Sequence, residues 1–309
     1  MISKYNFFKN QVNYNIDNNR DVIINRFMTY LTRLKFKYIR VVNIGTLGIV
    51  FLAYINDKRV YIKTCFQFEE NINNLKKEFL ILSNIYKNQL IIYEDILKYN
   101  NINYYYIVIE SLENVLDLNL NDILKIENDI YNYGISTKII NYNLYDFLLN
   151  IINDINILEK LGCTIKTIDM VFSSIIFLKN NYPKNICVNH GDLCLNNIKF
   201  NKNSNILLID WEDSLIGFKG YDTIYFLSFL SSKKYYSNSE FPLIYDLEFN
   251  LAKSAIVFIV AAKCILSYYQ KSYLTNKITA DDRLNDILFT INKYSTGGGV
   301  KIYIIFLLI

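Results

Sequence analysis

The spacing of hydrophobic residues predicts one helix and then three strands near the start of the chain. In RDVIINRFMTYLTRL, the residues Val22, Ile23, Phe27 and Leu31 recur at helical spacing, and the polar residues before them suit a helix start. The next stretch, YIRVVNIGTLGIVFLAYINDKRVYIKTCF, is rich in β-branched and aromatic residues and contains two turn signals. We therefore predict three consecutive antiparallel strands after the first helix.

A second amphipathic helix and two more strands complete this part of the chain. Leu75, Phe79, Leu82 and Tyr86 are spaced so that they share one face of a helix. The segments QLIIYEDILKYN and INYYYIVIES have the composition of strands. A five-stranded sheet with a helix packed against it is the natural assembly of these elements. We predict that it forms an N-terminal lobe over residues 1–111.

Helical patterns dominate the rest of the chain, so a second lobe is predicted over residues 112–297. Helices are expected at Tyr145 to Leu161, at Ile168 to Lys179, from Asp222, around Leu247 to Gln270 and near Asp281 to Ile291. Three short strands, ICVN, NIKF and ILLID, interrupt this helical lobe. The predicted class is α+β with two lobes. Residues 298–309 form an apolar tail to which we assign no role.

Composition and charge exclude several classes of protein. Hydrophobic residues make up 52% of the 309 residues and charged residues 20%, which is typical of a folded globular chain. A net charge of +4 without any block of Lys and Arg argues against nucleic acid as a partner. The five cysteines are odd in number and widely spaced, which indicates reduced thiols and not a disulfide framework or a zinc site.

The sequence also predicts a cytoplasmic protein without a membrane span. Its first residues are too polar for the core of a signal peptide. The most apolar internal run, SAIVFIVAAKCILSYY, is interrupted by Lys263 and is shorter than a bilayer span. No pattern in the sequence indicates an oligomeric state.

Polar residues around the three short strands carry the candidate chemistry. In VNHGDLCLNNIKFNKNSNILLIDWED, the single histidine of the chain, His190, stands two residues before Asp192. If NIKF and ILLID pair as a hairpin, Asn197 and Asp210 lie side by side and offer two oxygen ligands. Mg²⁺ prefers such ligands and is usually held by one or two carboxylates plus substrate phosphates. Asp192, near that pair, is then placed to accept a hydroxyl proton.

This arrangement resembles the kinase-like phosphotransferases, in particular the aminoglycoside phosphotransferase and choline kinase family. The order HGDLCLNNI, LLIDWE and GYDT is closer to that family than to protein kinases, where Arg would follow the His and Asp-Phe-Gly would stand at the metal site. The resemblance implies that Asp192 is the catalytic base, that Asn197 and Asp210 hold Mg²⁺, and that His190 orders the loop. It also implies that Asp222 is a structural anchor in the following helix.

The first lobe resembles the nucleotide-binding half of the same family. In VNIGTLGIVFLAYINDKRVYIKT, Gly45 and Gly48 resemble a phosphate-covering hairpin, and Lys63 is implied to reach the α- and β-phosphates of ATP or GTP. Glu78 falls on the helix face turned toward the sheet, where a buried carboxylate needs a partner, and Lys63 is the obvious one. By resemblance, backbone groups near Glu110 to Leu112 bind adenine.

The predicted function is an ATP-dependent small-molecule kinase that phosphorylates a substrate hydroxyl with Mg²⁺. The acceptor is left open among aminoglycoside-, choline- and ethanolamine-like cations, a neutral sugar and a homoserine-like compound. Acids that could receive a cationic acceptor are Glu212, Asp213, Asp246, Glu248, Asp281 and Asp282. Glu212 is a carboxylate that supports the catalytic residues, a substrate-side carboxylate or an ordinary loop acid. Two alternatives share the fold, a non-catalytic nucleotide-binding pseudokinase or scaffold and a protein kinase, the latter disfavoured because no Asp-Phe-Gly or Ala-Pro-Glu follows the loop.

Overall fold

The computed structural model describes residues 1–10, 16–44, 47–66, 68–87, 90, 92–99, 102–115, 118–201, 205–228, 249–276 and 278–295. The chain divides into a helical unit, Met1–Phe8, Leu116–Asn197 and Asp213–Ile309, and a sheet unit, Lys9–Val115 and Ile198–Glu212. These units differ from the predicted lobes 1–111 and 112–297, because the start of the chain packs with the helical unit and one hairpin packs with the sheet unit. The predicted lobe boundaries stay a prediction. The tail at 298–309 lies outside the described residues.

Five antiparallel strands form the main sheet of the sheet unit. They are β1 Lys37–Ile44, β2 Gly48–Ile55, β3 Lys58–Cys65, β4 Ile92–Tyr99 and β5 Ile102–Glu110. Their order is β1-β2-β3-β5-β4. The register places Gly48 opposite Cys65 and Lys63 opposite Ile107. The predicted five-stranded antiparallel sheet is confirmed.

Two helices of the sheet unit pack against this sheet. The helix α2, Ile16–Arg33, contributes Phe27 to a core that also contains Ile62 of β3. Successive side chains of a strand point to opposite faces, so Lys63 lies on the face opposite Ile62. The helix α3, Glu69–Tyr86, contacts β3, β4 and β5 and buries Leu75, Leu82 and Tyr86 of the predicted apolar positions, whereas Phe79 is half-buried. Lys63 is thereby brought next to α3.

A smaller three-stranded sheet also belongs to the sheet unit. Its strands, in the order β6-β8-β9, are β6 Glu113–Asn114, β8 Ile198–Phe200 and β9 Ile206–Leu208. β8 and β9 pair antiparallel, with Ile198 opposite Leu208. The hairpin that we predicted for NIKF and ILLID is therefore present.

The helical unit contains the strands β7 Ile186–Asn189 and β10 Leu215–Phe218, which pair antiparallel. Its helices are α1 Ile2–Asn10, α4 Leu120–Asn132, α5 Leu144–Asn153, α6 Ile157–Lys160, α7 Ile165–Asn180, α8 Tyr221–Leu227, α9 Phe249–Tyr269 and α10 Ala280–Ser295. The single helix predicted for Tyr145 to Leu161 was wrong, since α5 ends before Asp154 and α6 starts three residues later. The Asp154 side chain accepts the Tyr269 hydroxyl at 2.8 Å in that break.

The apolar helix α9 lies in the core of the helical unit. Its segment Asn250–Tyr269 has the length and composition of a membrane span, and 83% of its most apolar window is buried inside the protein. A buried core helix has the same composition, so this segment is weak evidence for a membrane.

Candidate active site

Three carboxylates surround one ammonium group in the sheet unit. Lys63 Nζ lies 2.6 Å from Glu78 Oε2, 2.5 Å from Asp210 Oδ1 and 3.3 Å from Glu212 Oε2. The predicted contact between Lys63 and Glu78 is present, and Asp210 and Glu212 join it. Burial would lower the pKa of Lys63, but Asp210, Glu212 and Glu78 outweigh burial and raise that pKa above its ordinary value. Lys63 is therefore a cation at neutral pH.

Glu78 on α3 is the most buried member of this cluster, with 1% of its side chain exposed. Its Oε2 accepts from Lys63, and its Oε1 accepts the backbone N–H of Asp210 at 3.0 Å. Burial raises the pKa of Glu78 to about 7, although Lys63 acts in the opposite direction. One buried carboxylate thus fixes both the lysine and the backbone of the predicted metal ligand.

Asp210, the predicted metal ligand, has a constrained backbone. Its φ angle of +68° lies in the left-handed region, which costs free energy for a residue with a β-carbon. Carboxylate oxygens of Glu78, Asp210 and Glu212 all lie within 4.8 Å of one another. Three acids around one ammonium leave excess negative charge, and hard oxygen ligands suit Mg²⁺. The residues present therefore fit the metal that the sequence predicted at Asp210.

A small cavity of the sheet unit lies beside Lys63. Its lining includes Leu47, Gly48, Cys65, Asn71 and Glu212. Gly48 cannot carry a side chain there, because a β-carbon would lie 2.1 Å from the Thr64 carbonyl oxygen. The other predicted glycine of the hairpin, Gly45, lies outside the described residues.

The residues predicted to bind adenine lie at the end of the main sheet. Glu110 is the last residue of β5, and Leu112 lies between β5 and β6. Both are half-buried, and the intervening Ser111 donates its N–H to the Arg59 carbonyl oxygen at 2.9 Å. Adenine binding by this backbone stays a prediction.

The loop that carries Asp192 lies in the helical unit, after β7. His190 is fully buried, and its Nδ1 accepts the backbone N–H of Asp192 at 3.3 Å. Asn197 Nδ2 donates to the Asp192 carbonyl oxygen at 2.8 Å and approaches its Oδ2 at 3.4 Å. Because Asn197 Nδ2 donates to Asp192, its Oδ1 is the side-chain atom that can bind a cation. The structure thus brings these three predicted residues together.

Asp222 holds this loop from the start of α8. Its carboxylate accepts the N–H groups of His190 at 2.7 Å and Gly191 at 2.9 Å. Burial, followed by the nearby Glu127 carboxylate, raises the pKa of Asp222 to about 7. Gly191 has a φ of +85°, and a β-carbon there would lie 1.9 Å from the Asp213 carbonyl oxygen. These contacts are those of the anchor that we predicted.

Sequence reasoning missed Glu127 on α4, which is fully buried. Its carboxylate accepts the Tyr131 hydroxyl at 2.5 Å, the N–H groups of Gly220 at 3.0 Å and Asp222 at 3.2 Å, and the Thr223 hydroxyl. Burial raises the pKa of Glu127. A single acid on the apolar face of an amphipathic helix is the signal that would have found it.

Most of the acids considered for a cationic acceptor have other partners. Asp213 is fully buried and accepts the Ser3 N–H at 2.7 Å, so the prediction that it is available to an acceptor was wrong. Asp281 accepts the Thr164 N–H at 3.0 Å, and Glu212 belongs to the Lys63 cluster. Asp282, which is exposed, accepts a nearby hydroxyl. Asp246 and Glu248 lie outside the described residues.

Comparison with known protein families matches the segment that contains the Asp192 loop. The sequence model of the APH phosphotransferase enzyme family matches residues 169–236, which include His190, Asp192, Asn197, Asp210 and Asp222. No curated protein sequence matches the chain. The predicted resemblance to this family is confirmed.

Solved structures extend the similarity beyond the matched segment. The aminoglycoside phosphotransferase APH(4)-Ia has a TM-score of 0.62 and 11% identity, and the alignment covers 89% of this chain and 100% of that chain. Choline kinase LicA from Streptococcus pneumoniae has a TM-score of 0.56 and 15% identity, with 89% and 100% covered. The chain has the kinase-like fold of these phosphotransferases. A ternary complex of a thermostable APH(4)-Ia mutant with ADP and hygromycin B has a TM-score of 0.59 and 12% identity, with 87% and 98% covered.

Proposed function

We propose that this protein is an ATP-dependent small-molecule kinase that transfers the γ-phosphoryl group to a substrate hydroxyl. The observation that carries the proposal is the loop of His190, Asp192 and Asn197, held by Asp222 within the segment that matches the phosphotransferase family. The Lys63 cluster supports it independently, since a fixed cation beside carboxylate oxygens suits a triphosphate and its metal.

Each residue has one task in the proposed reaction. Lys63 would bind the α- and β-phosphates, the hairpin predicted to contain Gly45 and Gly48 would cover the triphosphate, and the backbone from Glu110 to Leu112 would bind adenine. Asn197 and Asp210 would hold Mg²⁺, which neutralises phosphate charge when bound. The substrate oxygen attacks the γ-phosphorus, the bond from that phosphorus to the β-phosphate oxygen breaks, and ADP leaves. Asp192 accepts the hydroxyl proton, and positioning and charge stabilisation provide most of the rate.

The acceptor class is proposed from the structural neighbours. One of them was solved with hygromycin B and another is a choline kinase, so aminoglycoside-, choline- and ethanolamine-like alcohols come first. Tyrosine faces and carboxylates are the groups that receive such cations. GTP is kept beside ATP as a phosphoryl donor.

The experiment is a coupled ADP-release assay with Mg²⁺ and either ATP or GTP, across choline, ethanolamine, aminoglycosides, sugars and homoserine. Asp192→Asn should abolish turnover, while Asp169→Asn, on the exposed face of α7 in the same unit, should not. Lys63→Met should remove nucleotide binding in calorimetry. Turnover that survives in Asp192→Asn would contradict the proposed base. Nucleotide binding without turnover for any acceptor would favour a pseudokinase.

A further inference from the structure

The candidate base has two unequal carboxylate oxygens. The Tyr225 hydroxyl donates to Asp192 Oδ1 at 2.6 Å, a short distance typical of a charge-assisted hydrogen bond. Within the part of the chain that the structure describes, the partner of the other oxygen, Oδ2, is Asn197 Nδ2, at 3.4 Å. One oxygen of Asp192 is thus occupied, and the other is held weakly.

The surroundings of Tyr225 favour the protonated hydroxyl, which can donate a hydrogen bond. The residue is 3% exposed on α8, one helical turn after Asp222. Burial, and then the Asp192 carboxylate, raise the pKa of Tyr225 well above its ordinary value. The phenol therefore keeps its proton near neutral pH and holds Oδ1 of Asp192.

A lysine of α9 lies over the same phenol ring. Lys263 Nζ is 4.6 Å from the ring centroid of Tyr225, which is within the range of a cation–π contact. The ammonium also donates to Ser228 Oγ at 2.7 Å, and Ser228 Oγ donates to the Tyr225 carbonyl oxygen at 2.7 Å. A cation over the ring draws electron density from the phenol, so its hydroxyl becomes a stronger donor.

We propose that Tyr225 and Lys263 are positioning residues that fix the carboxylate of Asp192 and leave Oδ2 to receive the acceptor proton. The inference rests on the proposed function, in which Asp192 is the base. In the reaction the proton moves from the acceptor hydroxyl to Oδ2, while Oδ1 keeps the Tyr225 hydrogen bond. Tyr225 neither gains nor loses a proton.

The charge of Lys263 depends on its surroundings. The titratable and charged groups that shift the pKa of Lys263 are Asp192, Cys194, Cys264 and Arg283. Those that shift the pKa of Tyr225 are Asp192, Asp213 and Tyr221. Burial lowers the pKa of Lys263 to about 7, although Asp192 opposes it. The lysine is therefore cationic below that pH and loses its charge above it.

The first test does not require turnover. In proton NMR, the Tyr225 hydroxyl should give a downfield resonance because it donates to Asp192. This resonance should be lost in Tyr225→Phe, displaced in Asp192→Asn and moved upfield in Lys263→Met. The matched control is Tyr269→Phe, which removes a tyrosine hydroxyl that donates to Asp154 Oδ2 at 2.8 Å in the same unit, and it should leave this resonance in place. A resonance lost in Tyr225→Phe but unchanged by Asp192→Asn would overturn the inference.

The second test uses turnover at pH 6 with the acceptor found in the panel. Tyr225→Phe should lower kcat roughly 10- to 100-fold, as misplacement of a catalytic group does, with the KM for ATP unchanged within about twofold. Lys263→Met should lower kcat less, Lys263→Arg should restore it, and the double variant should equal Tyr225→Phe alone. At pH 8.5 the effect of Lys263→Met should shrink.

The outcomes separate this inference from the proposed function. If the two single effects multiply in the double variant, Lys263 does not act through Tyr225 and the inference is refuted. If Tyr225→Phe lowers thermal stability and ATP affinity together with kcat, its role is structural and the inference is refuted as well. A wild-type protein without turnover would overturn the proposed function, whereas the NMR result would still decide whether the pair holds Asp192.

Discussion

Replacing Glu127 by alanine should loosen the start of α8, and with it the loop that carries Asp192. The Glu127 carboxylate accepts two backbone N–H groups, those of Gly220 at 3.0 Å and Asp222 at 3.2 Å. The Gly220 N–H also donates to the Tyr131 hydroxyl at 2.9 Å, so the buried donors that lose their acceptor are the Asp222 N–H and the Thr223 hydroxyl. Each costs about 1–3 kcal/mol, so the two together cost about 2–6 kcal/mol. Removing a buried carboxylate recovers part of its desolvation cost. We expect a net loss of about 3 kcal/mol.

Because the loss is local, hydrogen exchange measured by mass spectrometry is the appropriate assay. A loss of about 3 kcal/mol increases the population of the open state roughly 100-fold. Amides of α8 and of the His190–Asp192 loop should exchange faster by that factor, since Asp222 joins the two. Glu127→Gln keeps one oxygen acceptor for the backbone and should accelerate exchange roughly tenfold or less.

The control is Glu159→Ala, which removes an exposed glutamate from α6 of the same unit and should leave the exchange of α8 unchanged. Circular dichroism would establish that each variant is folded. If the amides of α8 in folded Glu127→Ala exchange at the wild-type rate, Glu127 is not what fixes α8, and the reasoning from its hydrogen bonds is refuted.

Three further predictions concern the loop, the lysine cluster and pH. Gly191→Ala should abolish turnover without changing the ATP affinity measured by calorimetry. At φ +85° a β-carbon of residue 191 would lie 1.9 Å from the Asp213 carbonyl oxygen, so the loop must shift. Normal turnover in this variant would contradict the prediction. Glu78→Gln should raise the KM for ATP roughly tenfold in steady-state kinetics, because Lys63 loses a charged partner. The pKa of Asp222 is raised to about 7 in the folded protein, so the folded state binds its proton more tightly than the unfolded state does. Its contribution to stability is therefore lost as pH rises from about 4 to about 7, so the melting temperature of the wild-type protein should fall over that interval. The fall should be smaller in Asp222→Asn.

Local sequence patterns predicted the five strands of the main sheet and the helix α3. The strands β1 to β5 are rich in β-branched and aromatic residues between turn signals, and α3 repeats its apolar residues at helical spacing, so each could be recognised from its own residues. The helix α1 was missed because its segment reads as polar, although Tyr5 is buried and contacts the rings of Phe147 and Tyr269, which lie far along the chain. The break between α5 and α6 was missed because Asp154 is held there by hydroxyls from other helices.

The candidate site was predictable where a motif fixes the spacing of residues. His190, Asp192 and Asn197 lie on one short loop, and Glu78 could be placed toward Lys63 from the face of α3. Spacing could not find Lys263, which contacts the Tyr225 ring from a separate helix, or Glu127, which bonds to α8 from α4. Such contacts depend on how the elements pack, and that packing is not encoded in any one local pattern.

Each unit contains a buried acid that accepts backbone N–H groups of a segment with predicted site residues. Glu78 accepts from Asp210 in the sheet unit, and Asp222 accepts from His190 and Gly191 in the helical unit. Burial raises the pKa of each acid to about 7, which is the sign that each carboxylate is destabilised where it lies. An apolar residue would pack at less cost but could not fix backbone N–H groups in direction. For a reaction that depends on positioning, these acids are therefore better explained by the geometry they impose than by any stability they add.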